Sequence, residues 1–329
     1  MIAVGSASCG DAAEPVRSAA VIDDVVHWRG AVKLEENRQV INVFPQVSFA
    51  PGGAYLVADG REAQVRVYGS AGELRSWFGT RGEGPGEFYR PTAALPHFGG
   101  TVLTVDMLGK YAVHDTAARR VIETGQFPVP IIYTAKPLPN DQLLLVGRTS
   151  GTGSPHLHVW DLREKRLVRR FFVPPVRGGF EHEAVMNGVM DVAVRGDSIA
   201  ALFALSDSIF LFTRNGARVG ALPVRARGLR PMEEKFPGGG REALVKWQGS
   251  FSMMSRVFWL SDGSFLVQYY DMAANEQRFS LVRVRRDGEP IFEVQGTPRL
   301  LAVAPDGETL LFTNPAAEMP NQWRLATLR

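Results

Sequence analysis

The sequence predicts an all-β chain: a six-bladed β-propeller with an N-terminal strand completing the last blade. Three observations carry this reading. Short apolar-alternating segments, bounded by glycine, proline or Asp/Asn turn signals, run through most of the 329 residues. The segments recur in groups of four in the same order. The sixth group is one strand short, while an alternating segment near the start, Val25 to Leu34, belongs to no group.

Taken in order, the first group is Gln46 to Ala50, Ala54 to Asp59, Gln64 to Tyr68 and Glu73 to Phe78, with turns at Pro51-Gly52-Gly53 and Gly69 to Gly72. The second is Thr92 to Leu95, Val102 to Asp106, Tyr111 to Asp115 and Arg120 to Thr124, its first turn being Phe98-Gly99-Gly100. The third spans Ile132 to Phe172 with a turn at Asn140-Asp141, and the fourth Val189 to Val224 with turns at Gly196-Asp197 and Asn215-Gly216. The fifth spans Ser255 to Val294, turning at Asp262-Gly263 and Asp287-Gly288. The sixth has three strands, Arg299 to Ala304, Glu308 to Thr313 and Trp323 to Leu328. Four-stranded units arranged radially bury their faces on one another, and a strand from the other terminus would pair the last open edge. A sandwich lacks this recurring order. Helix is expected only within Glu233 to Trp247. Residues 21–329 are read as one propeller domain, because a blade is marginal without neighbours, and residues 1–20 as a tail.

Composition narrows the function classes. Apolar residues are 45% and charged residues 22%, which excludes a disordered chain. The 37 basic against 34 acidic residues leave +3, no footprint for nucleic acid. Cys9 is the only cysteine, so neither an internal disulfide nor a cysteine metal cluster forms. No run of 18 apolar residues offers a transmembrane span. The small-residue stretch ending in Cys9 resembles the tail of a bacterial lipoprotein signal, although Ser6 stands where leucine is usual. Cys9 is therefore a candidate lipid-anchor site. A periplasmic or cell-envelope monomer is expected, with a cytoplasmic protein as the alternative.

The connection Gly79-Thr80-Arg81-Gly82-Glu83-Gly84-Pro85-Gly86-Glu87-Phe88, closed by Arg90-Pro91, is the densest glycine run. It lacks the Gly-Lys-Ser/Thr ending of a phosphate loop, and a strand rather than a helix comes after it. It reads as a shaped hinge between the first two groups, with Phe88 packed beneath it. Arg81, Glu83, Glu87 and Arg90 either pair with one another or face the axial mouth. Two longer connections, Pro174 to Gly188 and Ala226 to Gln248, should lie on the same face of the disc and carry His182, Asn187, Arg230 and Trp247. Phe180, Phe236 and Trp247 are expected there as exposed aromatics. His156 and His158 form an H-x-H pair that a strand would turn to one side, with His182 a candidate third metal ligand. Gly-x-Ser-x-Gly is absent, so no serine triad is indicated.

Gln64 to Tyr68, Gly72-Glu73-Leu74 and the glycine run through Pro91, with Val105-Asp106 beyond it, resemble the NHL-like six-bladed propellers of bacteria. The resemblance is dense over Val57 to Val113 and diffuse elsewhere. It implies the propeller fold and leaves the chemistry open, since the wider group includes lactone and carbohydrate hydrolases, peptide lyases and binding modules. Lactonase-like relatives place metal-binding oxygens near inner strand ends, which makes Asp59, Asp106, Asn187, Asp271 and Asn314 candidates for a divalent ion such as calcium, as the histidines are for zinc. Each of these oxygens also sits where it can satisfy a turn. No cofactor is required. The preferred expectation is noncovalent binding of a peptide, glycan or protein partner through Arg81, Glu87, Arg90, His182, Asn187, Arg230 and Trp247. The alternative is a metal-dependent propeller hydrolase or lyase.

Overall fold

Each four-strand group folds as an antiparallel meander, and six such sheets are arranged in a ring. The computed structural model describes residues 17–18, 21–36, 45–149, 153–175, 190–232, 236–273, 276–317 and 320–329. Blade one is Gln46–Phe49, Tyr55–Asp59, Gln64–Tyr68 and Leu74–Phe78, counted from the axis outward. The inner strands of blades two to six are Pro91–Pro96, Ile131–Leu138, Met190–Arg195, Ser252–Trp259 and Leu300–Val303.

The predicted closure is present. Val26–Lys33 pairs antiparallel with Gln322–Leu328, from Val26 opposite Leu328 to Lys33 opposite Gln322. Leu34 continues the seam through its N–H to the Asn321 carbonyl at 2.9 Å, and the Asn321 amide returns a bond to the Leu34 carbonyl at 3.0 Å. Without this strand the last blade would expose an unpaired edge. One pairing was not expected: Arg17–Ser18 lies parallel to Phe292 and Glu293 on the outer edge of blade five. The helix described in the long fourth-to-fifth connection, Arg241–Gln248, begins after a triple glycine and lies almost wholly within the expected interval.

The apolar core is divided among the six junctions between blades. Leu56, Val67 and Phe78 of blade one meet Ala94 and Val102 of blade two. Val105 and Tyr111 meet Leu143 and Trp160 at the next junction, and three further clusters continue round the ring. Tyr55 and Tyr68 meet Leu311 and Trp323 where the chain ends close. Because both faces of a blade are covered, Tyr55–Asp59 and Gln64–Tyr68 are buried at every position. Period-two alternation is therefore weak in the middle strands and survives in outer strands such as Arg120–Gln126.

Candidate binding site at the axial mouth

The N-terminal ends of the inner strands lie on one face of the disc, together with the glycine-rich connection into blade two and the turns at Gly60-Arg61 and Met107. There they surround a cavity of about 870 Å³. The opposite ends of the same strands line a separate depression of about 610 Å³, mostly apolar in its walls. Six arginines reach the first cavity: Arg61, Arg81, Arg90, Arg148, Arg256 and Arg299. Among the described residues lining it, Asp191 is the only carboxylate.

Charge is also buried at the axis. The Arg256 guanidinium, with a side chain 7% exposed, donates to Gln46 Oε1 at 2.5 Å and stands 3.7 Å from Asp191 Oδ1. Asp191 Oδ2 accepts the Val257 N–H at 3.1 Å, tying blade four to blade five. Lys136, which reaches the axis from the opposite depression, has its ammonium disfavoured by burial; Asp191 opposes this shift and Arg256 adds to it. Burial, reinforced by the Arg256 charge, pushes the Arg299 guanidinium down to about 9. Arg299 also stands over the Phe279 ring, 5.7 Å from its centroid. Buried cations of this density are costly unless an anion faces them.

The glycine-rich connection forms one wall of the mouth. Gly79 has φ +89°, and a Cβ there would stand 2.7 Å from the Ala63 carbonyl and 2.8 Å from the Phe88 ring, so glycine is required on both counts. Phe88 is fully buried beneath the loop against Ala63, Ala112 and Val121, as expected. The four charged residues of the loop do not pair with one another. Arg81 donates to the carbonyls of Tyr89 at 3.0 Å and Arg61 at 2.7 Å, and Glu87 Oε2 accepts the Gly84 N–H at 2.8 Å. Lys110, which the sequence reading passed over, donates from Nζ to the carbonyls of Glu83, Gly84 and Glu87. The loop is thus held through backbone carbonyls, leaving Arg81 and Arg90 at the cavity.

The candidate metal ligands are spread apart. Asp59, fully buried, accepts the Arg61 and Glu62 N–H groups and lies 3.5 Å from Arg66. Asp106 accepts from Arg90 N at 2.7 Å and Leu108 N at 2.9 Å. Asp271 holds Arg230 at 2.9 Å and the Ser252 hydroxyl at 2.7 Å, and Asn314 caps its own turn at Ala316. No three His, Cys, Asp or Glu side chains gather at ligating distance among the described residues. His156 Nδ1 bonds the Ser154 carbonyl and His158 Nε2 the Gly147 carbonyl, at 2.9 and 3.2 Å. Neither ring lines the mouth; burial lowers both imidazole pKa values, His158 to about 4. His182 and Asn187 lie outside the described residues.

Two expected surface groups prove structural. Trp247 is 5% exposed and Phe236 4%, packed with Met232, Phe251 and Met253 into a satellite core that anchors the connection from Ala226 onto the disc. The expectation of exposed aromatics there is corrected for both: the helix turns its apolar residues inward against blade five. Arg230 donates to the Gly249 carbonyl and to Asp271, fastening that connection, and borders a side crevice rather than the mouth.

The residues that the sequence reading missed are Arg61, Lys136, Arg148, Asp191, Arg256 and Arg299. A signal existed for three of them. Lys136, Asp191 and Arg256 are charges within inner strands of mostly apolar sequence, where charge is uncommon.

Fold and site together define a six-bladed β-propeller with a strongly basic axial mouth. Similar folds occur in a member of the DUF4221 family from Bacteroides vulgatus, with TM-score 0.66 and 13% identity over 93% of this chain and 98% of that one. A protein of Bacteroides fragilis inferred to be exported gives TM-score 0.64 and 10% identity, over 95% and 98% of the two chains. Regucalcin from Agrobacterium tumefaciens, a calcium-binding protein, gives TM-score 0.56 and 12% identity, over 92% and 94%. At these identities the likeness is one of fold. No family model matches the chain, and no curated protein matches it in sequence.

Proposed function

We propose that this chain is a binding module that holds a peptide, glycan or protein partner noncovalently at the axial mouth. The observation that supports this most directly is the 870 Å³ cavity where the inner strands begin, lined by hydrogen-bonding and aromatic side chains. Residues 21–329 act as one NHL-like propeller unit in this reading. Location in the bacterial envelope is proposed with it, supported by the exported-protein neighbour and by the signal-like stretch at Cys9. Monomeric action and lipid attachment belong to the same proposal.

The second reading, a metal-dependent hydrolase or lyase, draws on the calcium-binding neighbour. The described donors fit it poorly: Asp59 and Asp106 spend oxygens on backbone N–H groups, and arginines dominate the mouth. Ser255→Trp, at the bulge of the blade-five inner strand, puts a large side chain into the lining of the cavity. Panels of peptides and glycans on a sensor surface should find ligands for the parent protein that this variant no longer holds. Equal retention by both proteins would refute the mouth as the site. Metal titration of the purified protein, with a binding heat at Asp59 or Asp106 abolished by Asn substitution, would favour the second reading.

A further inference from the structure

With the mouth taken as the binding site, as proposed, its charge specifies the partner more narrowly than its shape does. Arg90 and Arg148 line the cavity, and neither meets a carboxylate among the described residues. Arg81 is directed by backbone carbonyls, and Arg61 reaches Glu62 only at 3.9 Å. Deeper in, the buried Arg256 stands 3.7 Å from Asp191, the one carboxylate among the described residues lining the cavity. The whole chain carries only +3, so this concentration is local and does not reflect a generally basic surface. Guanidinium groups bind carboxylates through paired, charge-assisted hydrogen bonds, stronger in a recess than in open water.

The aromatic residues indicate which kind of carboxylate ligand fits. Sugars are commonly held on open aromatic faces, but Arg81 stands over the Tyr89 ring at 5.9 Å and Arg299 over Phe279 at 5.7 Å. Tyr270 packs against Phe279. One face of each of the Tyr89 and Phe279 rings is already covered by a cation. Gln46, Thr134, Ser255 and Gln277 line the same cavity and can pair with main-chain amides. We infer that the mouth recognises an acidic peptide segment, its side-chain carboxylates meeting the rim arginines Arg90 and Arg148 and the deeper Arg256.

The test uses the full chain and a fluorescently labelled pentaglutamate peptide, with pentaglutamine, trigalacturonate and inorganic phosphate as comparison probes. The glutamate peptide should bind about tenfold or more tightly than the glutamine peptide, and should weaken as salt is raised. Arg90→Gln combined with Arg148→Gln should lower its affinity about tenfold or more. Arg61→Gln, on a side chain 74% exposed and so unable to disturb the fold, should lower it to a smaller extent. Arg166→Gln, on an outer strand away from the mouth, should change nothing. Equal affinity for the glutamate and glutamine peptides would overturn the anionic inference while leaving a binding module standing. Binding of trigalacturonate or phosphate in preference to the peptide would overturn the peptide assignment. If the peptide and glycan panels also yield no ligand, the binding reading itself falls.

Discussion

His114 offers the sharpest quantitative test of the structure. It lies on the third strand of blade two, fully buried, stacked on Phe78 at 4.4 Å and 22° and touched by Phe88 at 5.9 Å. Neither ring nitrogen has a hydrogen-bond partner among the described residues. Burial therefore penalises the imidazolium, and the pKa falls from 6.5 to about 4. The unfolded chain titrates near the ordinary value, so it takes up a proton that the fold refuses. This contribution to stability is intact above pH 6.5, declines as pH falls toward 4, and levels off below. Integrated to about pH 4.5, the loss is about 2.5 kcal/mol from this one ring. Replacing His114 with Phe keeps an aromatic ring beside Phe78 and removes the titration. Urea unfolding of both proteins, near pH 7.5 and near pH 4.5, isolates the effect, because every other titrating group is common to the two. The wild-type protein should lose about 2.5 kcal/mol more than the variant between those conditions. An unchanged gap, or an NMR titration placing the His114 imidazole above pH 6, would refute the reasoning.

Other outcomes rest on the same geometry. Lys110→Met removes the ammonium that joins three carbonyls of the glycine-rich connection; about 1–3 kcal/mol of stability should be lost and proteolysis within residues 82–87 should accelerate, both measurable on purified protein. Gly79→Ala forces a side chain into left-handed backbone and against the Ala63 carbonyl, so its thermal midpoint should fall clearly while Gly99→Ala, with open space around its Cβ, falls less. Trp247→Ala empties the satellite core and should cost about 3–5 kcal/mol in chemical unfolding; a cost under about 1 kcal/mol would show that the helix is not packed as described. Removing residues 1–34 deletes the closing strand and should produce aggregation through the exposed Gln322–Leu328 edge, whereas removing residues 1–16 should leave light scattering unchanged.

Much of this architecture was legible from local chemistry. Turns such as Pro51-Gly52-Gly53 and Phe98-Gly99-Gly100 announce themselves because glycines must supply positive φ there, at +75° and +74° in the first and +61° and +77° in the second. Asp262 and Asp287 are read correctly as turn residues, each accepting the backbone N–H two residues downstream. Phe88 beneath its loop and Val26–Lys33 as the closing strand follow from apolar patterning and from counting strands.

The functional face was legible only in part. The sequence left Arg81 and Arg90 either paired within the loop or facing the mouth, and the structure puts both at the cavity. It could not separate Trp247, which folds inward, from a surface aromatic, since an amphipathic eight-residue helix does not say what covers it. Nor could it join Gln46, Asp191 and Arg256, which meet across the axis from blades one, four and five. Local dihedral preference and hydrophobic periodicity act between neighbours in the chain, and by themselves they determined the strands, their turns and the number of blades. The basic mouth arises from ring closure, which brings the starts of six distant strands around one axis and there removes Asp191 and Arg256 from water together. Only the tertiary structure decided that.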